Sequence, residues 1–317
     1  MFTTQDLHGV MAMMPAFATE DAADLRATAT VDVDNLRFAV DRIINDGIDV
    51  IATTGSFGEF HTLLWEEFEL LTRSTLEVVD ARVPLFIGCT SLNSREVVRK
   101  MQFVQDAGGQ GVLVGVPFYF PSTVDNAVRF YHDIAELFPN LSIMIYHNPA
   151  LHNVTLPVGS FRQITESPNV VAMKDSHRET TAFQRLTEIV ANKMSVFCNQ
   201  SQYYPYALLG AAGFWSITAW NGPWPLIALR DAIDREDYSS AKEIARNINS
   251  QPGEGRSASW RETARKIEAG YAGYCQPGPL RPPFVVIPEE VIAGAKRSAE
   301  AWNELCDRYR PQVEAQH

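Results

Sequence analysis

Short apolar runs of strand length alternate with longer amphipathic stretches from the start of the chain to about residue 228. The runs fall at Val10 to Met14, Asp49 to Thr53, Pro84 to Cys89, Gly111 to Gly115, Ser142 to Tyr146, Val170 to Lys174, Ser195 to Asn199 and Gly213 to Ser216. Between them, Asp34 to Asn45, Glu66 to Val79, Ser94 to Asp106, Val124 to Phe138 and Thr180 to Ala191 carry helical periodicity, several opened by Ser, Thr or Asp in the N-cap position. Strands that are apolar throughout belong to a parallel sheet covered on both faces, and eight β/α units favour closure into a barrel. The pattern therefore predicts an α/β fold, a (β/α)8 TIM barrel, with an open doubly wound sheet as the alternative. After Pro223 the strand signal stops. Leu226 to Asp234, Ser239 to Asn249, Arg261 to Ala272 and Pro288 to Tyr309 read as helices, interrupted by Gln251-Pro252-Gly253-Glu254-Gly255 and by Gln276 to Pro283. The expected organisation is a barrel over residues 1–228 and a C-terminal helical region, 229–317, packed on it.

Composition narrows the class of partner. The chain has 317 residues, 46% hydrophobic and 21% charged, enough for a large core in an ordinary globular protein. Its formal net charge of -11, from 27 basic and 38 acidic residues, is spread without long blocks of one sign. It offers no electrostatic footprint for nucleic acid or an anionic membrane, so a small-molecule partner is expected. Cys89, Cys198, Cys275 and Cys306 lack metal-type spacing, are too few for a disulfide framework, and read as reduced thiols. The segment Met1-Phe2-Thr3-Thr4-Gln5-Asp6 has no basic stretch followed by an apolar one. No apolar run reaches the roughly 18 to 20 residues of a membrane span. A cytoplasmic protein is expected.

In a β/α barrel the reacting groups sit at the C-terminal ends of the strands, where each apolar run stops. The fifth run stops at Tyr146-His147-Asn148-Pro149 and the sixth at Met173-Lys174-Asp175-Ser176, so two consecutive strands deliver a phenol and an amine to one rim. Desolvation at the mouth of an apolar pocket disfavours the ammonium and frees its lone pair for attack on a carbonyl, which is what Schiff-base chemistry requires. Singly, a lysine at a strand end reads as a solvated charge and a tyrosine as a packing residue. The second run stops at Thr54-Gly55-Ser56-Phe57-Gly58-Glu59. Its N–H groups and the Ser56 hydroxyl could form an anion nest, or it is only a tight strand-to-helix turn. The eighth run leads into an aromatic rim in which Trp215 and Trp220 serve equally for core packing or as a wall for a flat substrate. His61, His147, His152 and His177 lie in the same rim segments and read as surface or supporting residues, not as catalysts. Asn148 and Asp175 read as residues that orient backbone.

The order Gly-Ser-Phe-Gly-Glu, then Tyr-x-Asn-Pro, then Val-x-x-Lys resembles the pyruvate-dependent class I aldolases of the dihydrodipicolinate synthase and N-acetylneuraminate lyase family, over nearly the whole chain. The resemblance implies that the turn at Gly55 and Ser56 binds the pyruvate carboxylate, that Tyr146 relays protons and that Lys174 forms the imine. Where the biosynthetic synthases carry a second relay threonine in the turn, this chain has Phe57, so no relay runs through that position. Ser-Phe-Gly-Glu, Leu64-Trp65-Glu66-Glu67, Arg281-Pro282-Pro283-Phe284 and Val286-Ile287-Pro288-Glu289 look more like the hydratase-aldolases of aromatic-hydrocarbon breakdown, the branch acting on trans-o-hydroxybenzylidenepyruvate and 2-carboxybenzalpyruvate.

The resemblance implies cleavage of an arylidene pyruvate to an aromatic aldehyde and pyruvate, without metal or organic cofactor. Phe57, Trp215, Trp220 and Phe118 suit an aryl substrate better than a polyhydroxylated one. Arg261, placed toward the barrel mouth, could pair bidentately with an ortho carboxylate on the ring, favouring 2-carboxybenzalpyruvate over the 2-hydroxy analogue; it also reads as a surface arginine beside Arg256 and Arg265. A homotetramer is implied, in which Tyr119, after the fourth strand, approaches a neighbouring active site. The competing readings are a 2-hydroxybenzylidenepyruvate enzyme, a synthase-like or sugar-acid pyruvate aldolase, and a non-catalytic barrel that binds a keto acid.

Overall fold

The computed structural model describes residues 1–176, 178–251 and 260–315, with Arg261 and Glu262 described in their backbone only. Eight strands close into one barrel in chain order: β1 (Gly9–Met13), β2 (Val50–Ala52), β3 (Leu85–Gly88), β4 (Gly111–Val114), β5 (Ser142–His147), β6 (Val170–Asp175), β7 (Ser195–Asn199) and β8 (Gly213–Ser216). The six neighbour pairs from β2–β3 to β7–β8 are parallel. Each strand is buried almost throughout, as strands with both faces covered must be. The closed barrel, not the open sheet, is the fold.

The helices are α1 (Val33–Asn45), α2 (Trp65–Val79), α3 (Ser94–Asp106), α4 (Val124–Leu137), α5 (Pro149–His152), α6 (Phe161–Ile164), α7 (Thr180–Val190), α8 (Tyr203–Ala207), α9 (Trp224–Asp234), α10 (Tyr238–Asn249), α11 (Arg261–Ala272) and α12 (Glu289–Glu314). Side-chain caps from Asp32, Asn93 and Thr123 start α1, α3 and α4. At α7 the cap is Glu179, whose carboxylate accepts from the N–H groups of Thr181 and Ala182.

The chain divides into two compact units. One comprises Met1–Met11, Asp49–Thr53 and Val83–Trp215, and carries nearly all of the barrel strands with α3 to α8. The other comprises Ala12–Ile48, Thr54–Arg82 and Ser216–His317. Within it α1 packs on α2, α9 on α10, and α12 on both α9 and α11.

One irregularity positions chemistry. The β5–β6 ladder pairs Ile143 with Val170 and then Met144 with Ala172, so Val171 is a bulge residue. That one extra residue moves the register from an offset of 27 to 28 and sets Tyr146 opposite Lys174 and His147 opposite Asp175.

Candidate active site

Tyr146 and Lys174 are cross-strand neighbours, each only 3% exposed. Strand alternation puts them on one face of the sheet and His147 and Asp175, one step on, on the other. The Lys174 amine lies 4.3 Å from the centre of the Tyr146 ring and 3.7 Å from that of Trp215, with Ser176 Oγ at 3.5 Å. Trp215 lies near the end of β8 and its indole Nε1 donates to the Asp175 carbonyl at 2.9 Å, which fixes the plane of the ring. Asn148-Pro149 stops β5 and starts α5, which returns His152 edge-on to Tyr146 at 4.8 Å between ring centres. Burial, helped by the Lys174 charge, lowers His152 to about 4, so the imidazole is neutral at neutral pH.

Behind this pair is a buried polar chain. His147 Nδ1 lies 2.8 Å from Asp175 Oδ1, and Arg178 Nε donates to Asp175 Oδ2 at 2.8 Å. Burial opposes the charge of Asp175, but the His147 hydrogen bond and the Arg178 guanidinium outweigh it and hold the carboxyl below its ordinary value.

Gly55, Ser56 and Phe57 lie in the other unit, in the turn that follows β2; Gly55 and Phe57 are buried and Ser56 half-buried. Thr54 (φ 41°) and Glu59 (φ 49°) bracket the turn in left-handed conformation, uncommon for any residue with a side chain and strained for a β-branched one. A Cβ on Gly58 would stand 2.6 Å from Thr54 N and 2.8 Å from Thr54 Cα, so only glycine fits there. Glu59 closes the turn by accepting from Lys266 Nζ at 2.5 Å and Arg281 Nη1 at 2.9 Å, all three side chains being buried.

Lys174, Tyr146 and Trp215 thus meet within one unit. Trp220, in the other, is fully enclosed and edge-on to Phe17 at 5.9 Å. Tyr119 follows β4 and is 72% exposed, its ring against Phe120. Arg261 opens α11, but its side chain lies outside the described residues, as does His177. All four cysteines are buried and free. Among the described residues no group of three or more His, Cys, Asp or Glu is placed to hold a metal, and no helix is long and apolar enough to cross a membrane. Sequence reasoning places Tyr146 and Lys174 on one rim but leaves His147, His152 and Asp175 in supporting parts, names Glu59 only as the end of the turn motif, and does not find Arg178 or Lys266. The adjacency of His147 to Tyr146 and of Asp175 to Lys174 is the one signal in the chain, because residues flanking a cross-strand pair are themselves paired.

The chain is similar to known proteins over nearly its whole length. Residues 18–293 match the dihydrodipicolinate synthetase family. A trans-O-hydroxybenzylidenepyruvate hydratase-aldolase of Pseudomonas aeruginosa is 32% identical over 97% of this chain and 95% of its own length. A trans-2'-carboxybenzalpyruvate hydratase-aldolase of Nocardioides sp. (strain KP7) is 25% identical over 97% of this chain and 96% of its own. Among solved structures, PhdJ bound to substrate intermediate superposes with a TM-score of 0.91 at 27% identity, covering 97% of this chain and 99% of that one.

Proposed function

Since the chain belongs to the dihydrodipicolinate synthetase family and is a carbon–carbon lyase, we propose that it is a Schiff-base hydratase-aldolase that cleaves a 4-aryl-2-oxobut-3-enoate to an aryl aldehyde and pyruvate. The observation that carries this reading is the Lys174 amine, 3% exposed, set over the rings of Tyr146 and Trp215. A surface lysine has no need of such shelter, whereas a nucleophilic amine must lose its proton and its hydration to attack a ketone.

In the proposed sequence, Lys174 Nζ adds to the C2 ketone and water leaves, giving a protonated imine. Gly55 and Ser56 hold the adjacent carboxylate, and so fix C2 near the amine. The imine withdraws electrons through the conjugated chain, which makes C4 electrophilic; water adds there and loses a proton, leaving an enamine, and a first proton taken up at C3 restores the protonated imine. Tyr146 takes the proton of the new C4 hydroxyl as the C3–C4 bond breaks; the aldehyde departs and its electron pair stays as a pyruvyl enamine. Protonation at C3 and hydrolysis of the imine release pyruvate and return the free amine. Trp215, Phe57 and Trp220 are the apolar residues proposed for the ring. The sequence consumes one water overall and needs no oxidant or reductant.

Borohydride reduction in the presence of pyruvate tests the imine: the peptide containing Lys174 gains a reduced adduct, and Lys174→Ala loses both the adduct and pyruvate release from arylidene pyruvates. An adduct-free Lys174 overturns the assignment. For the ring, Arg261 supports a 2-carboxy substituent through a bidentate pair. The higher identity to the 2-hydroxy enzyme supports the second reading, 2-hydroxybenzylidenepyruvate. The ratio of kcat/KM for the two substrates in wild type and Arg261→Ala decides between them, since only the carboxylate pair loses its preference. We also infer a cytoplasmic homotetramer in which the exposed Tyr119 reaches a neighbouring copy; native mass spectrometry reads the copy number.

A further inference from the structure

One residue beyond each proposed reactive group, the first unit buries a chain of three ionisable side chains. His147 follows Tyr146 and Asp175 follows Lys174, and the two are register partners. The Leu156 N–H donates to His147 Nε2 at 3.1 Å, so the imidazole proton sits on Nδ1 and is donated to Asp175 Oδ1 at 2.8 Å. Arg178 Nε donates to the other carboxylate oxygen at 2.8 Å, and the Arg178 carbonyl is held by the Tyr206 hydroxyl at 2.5 Å. Asp175 is the node: its carboxylate holds His147 and Arg178, and its carbonyl holds the Trp215 indole, whose ring lies over the amine. A buried ion pair adds little net stability compared with apolar residues of the same volume. Its value here is in geometry and in charge.

We propose that the His147–Asp175–Arg178 chain is the positioning device of the imine site. It clasps the ends of β5 and β6 at the pitch that sets Tyr146 opposite Lys174, and Arg178 neutralises the carboxylate that would otherwise favour an ammonium at Lys174. This rests on the imine reading of Lys174. Of the charged and titratable groups around the amine, Tyr146 and His147 come from β5, His152 from α5, Asp175 from the end of β6 and Arg178 from the loop before α7. Cys198 of β7 lies beside Asp175, and burial keeps its thiol protonated. His152 is neutral, so among the described residues of these elements no other group replaces the Arg178 charge.

The test follows the rate of borohydride-trapped pyruvate adduct on Lys174, by mass spectrometry, against pH. Wild type, Asp175→Asn, Arg178→Gln, Arg178→Lys and His147→Asn are compared after circular dichroism has matched their folds. In Arg178→Gln the lone carboxylate moves the acid limb of the profile up by about one pH unit; in Asp175→Asn the lone guanidinium moves it down by about as much. Arg178→Lys keeps the wild-type limb. His147→Asn leaves every charge in place, so its limb stays while the limiting rate drops about tenfold or more as the clasp is lost. Should Asp175→Asn fail to fold, the contrast between Arg178→Gln and Arg178→Lys carries the test. No adduct on the wild type overturns the imine reading and this inference with it. Adduct on the wild type with the same limb in every folded variant overturns this inference alone.

Discussion

His152 and Lys174 are two basic side chains buried in one neighbourhood, and burial there keeps His152 uncharged near neutrality. The His152 ring fills the space that Gly115 leaves, since a Cβ there would stand 2.3 Å from His152 Cε1. Burial and the neighbouring Lys174 charge bring His152 to about 4 from an ordinary 6.5. The unfolded chain therefore binds one more proton than the native one between those values. Stability falls as pH drops from 6.5 toward 4, by about 3 kcal/mol at most from this group, and the slope vanishes once both states are protonated. His152→Phe keeps a ring and cannot titrate, so urea unfolding at pH 6.5 and 4.5 will show a smaller loss for the variant than for wild type. Equal losses would place the acid sensitivity elsewhere. Tyr146 makes a separate prediction. Tyr146→Phe keeps the ring beside the amine but has no hydroxyl, so the Lys174 adduct with pyruvate still forms while kcat for cleavage drops about 10²- to 10⁴-fold. Loss of the adduct as well would mean that the phenol is needed before the bond-breaking step.

At the scale of single elements, the turn after β2 is the most constrained. Thr54 and Glu59 occupy left-handed backbone and Gly58 has no room for a methyl group. In Gly58→Ala the Thr54 backbone must shift by several tenths of an ångström, which opens the proposed carboxylate nest. The expected outcome is a lower Tm and a KM for the arylidene pyruvate raised about tenfold or more, with a smaller change in kcat, because carboxylate contacts are made before and during reaction alike. A KM that stays put would remove the nest from the site. This turn is legible in the sequence because its glycines mark it locally. The eight strands are legible for the same kind of reason: a short run that is apolar at nearly every position suits a strand covered on both faces, and the observed strand limits fall within one or two residues of those expected. Local signals also mislead. Helix α12 continues past Tyr309 and through Pro311 to Glu314, because a proline in the final turn costs only one hydrogen bond where the helix is about to end. The short α5, α6 and α8 have too few residues to show a 3.6-residue period, and α7 begins on a glutamate cap instead of Ser, Thr or Asp.

At the scale of the whole chain, the contacts hidden from sequence reading are those made over long separations. Glu59 meets Lys266 and Arg281, 207 and 222 residues away, and nothing local marks either partner. Within the second unit this cluster ties the turn to α11 and to the segment ahead of α12. Lys266 also donates to the carbonyls of Ala16 and Pro279, and Arg281 to those of Ala16, Phe17 and Thr30. Glu67 completes the charge balance by accepting from the Thr30 N–H and hydroxyl, while Arg281 donates to that same hydroxyl. Removing the shared carboxylate with Glu59→Gln strands two buried cations and is expected to cost about 3 to 5 kcal/mol. Lys266→Met leaves Glu59 paired with Arg281 and costs less. The two also differ in pH dependence. Burial outweighs the Glu59 attraction and brings Lys266 down to about 8 from an ordinary 10.5. Between those values the unfolded chain holds the proton that the native chain has released, so this group adds stability as pH rises through the window. Urea unfolding at pH 7 and 9.5 should therefore show the advantage of wild type over Lys266→Met growing at the higher pH. An advantage that is constant, or that shrinks, would mean the buried lysine keeps its charge throughout and that the cluster holds the turn as a fixed ionic knot.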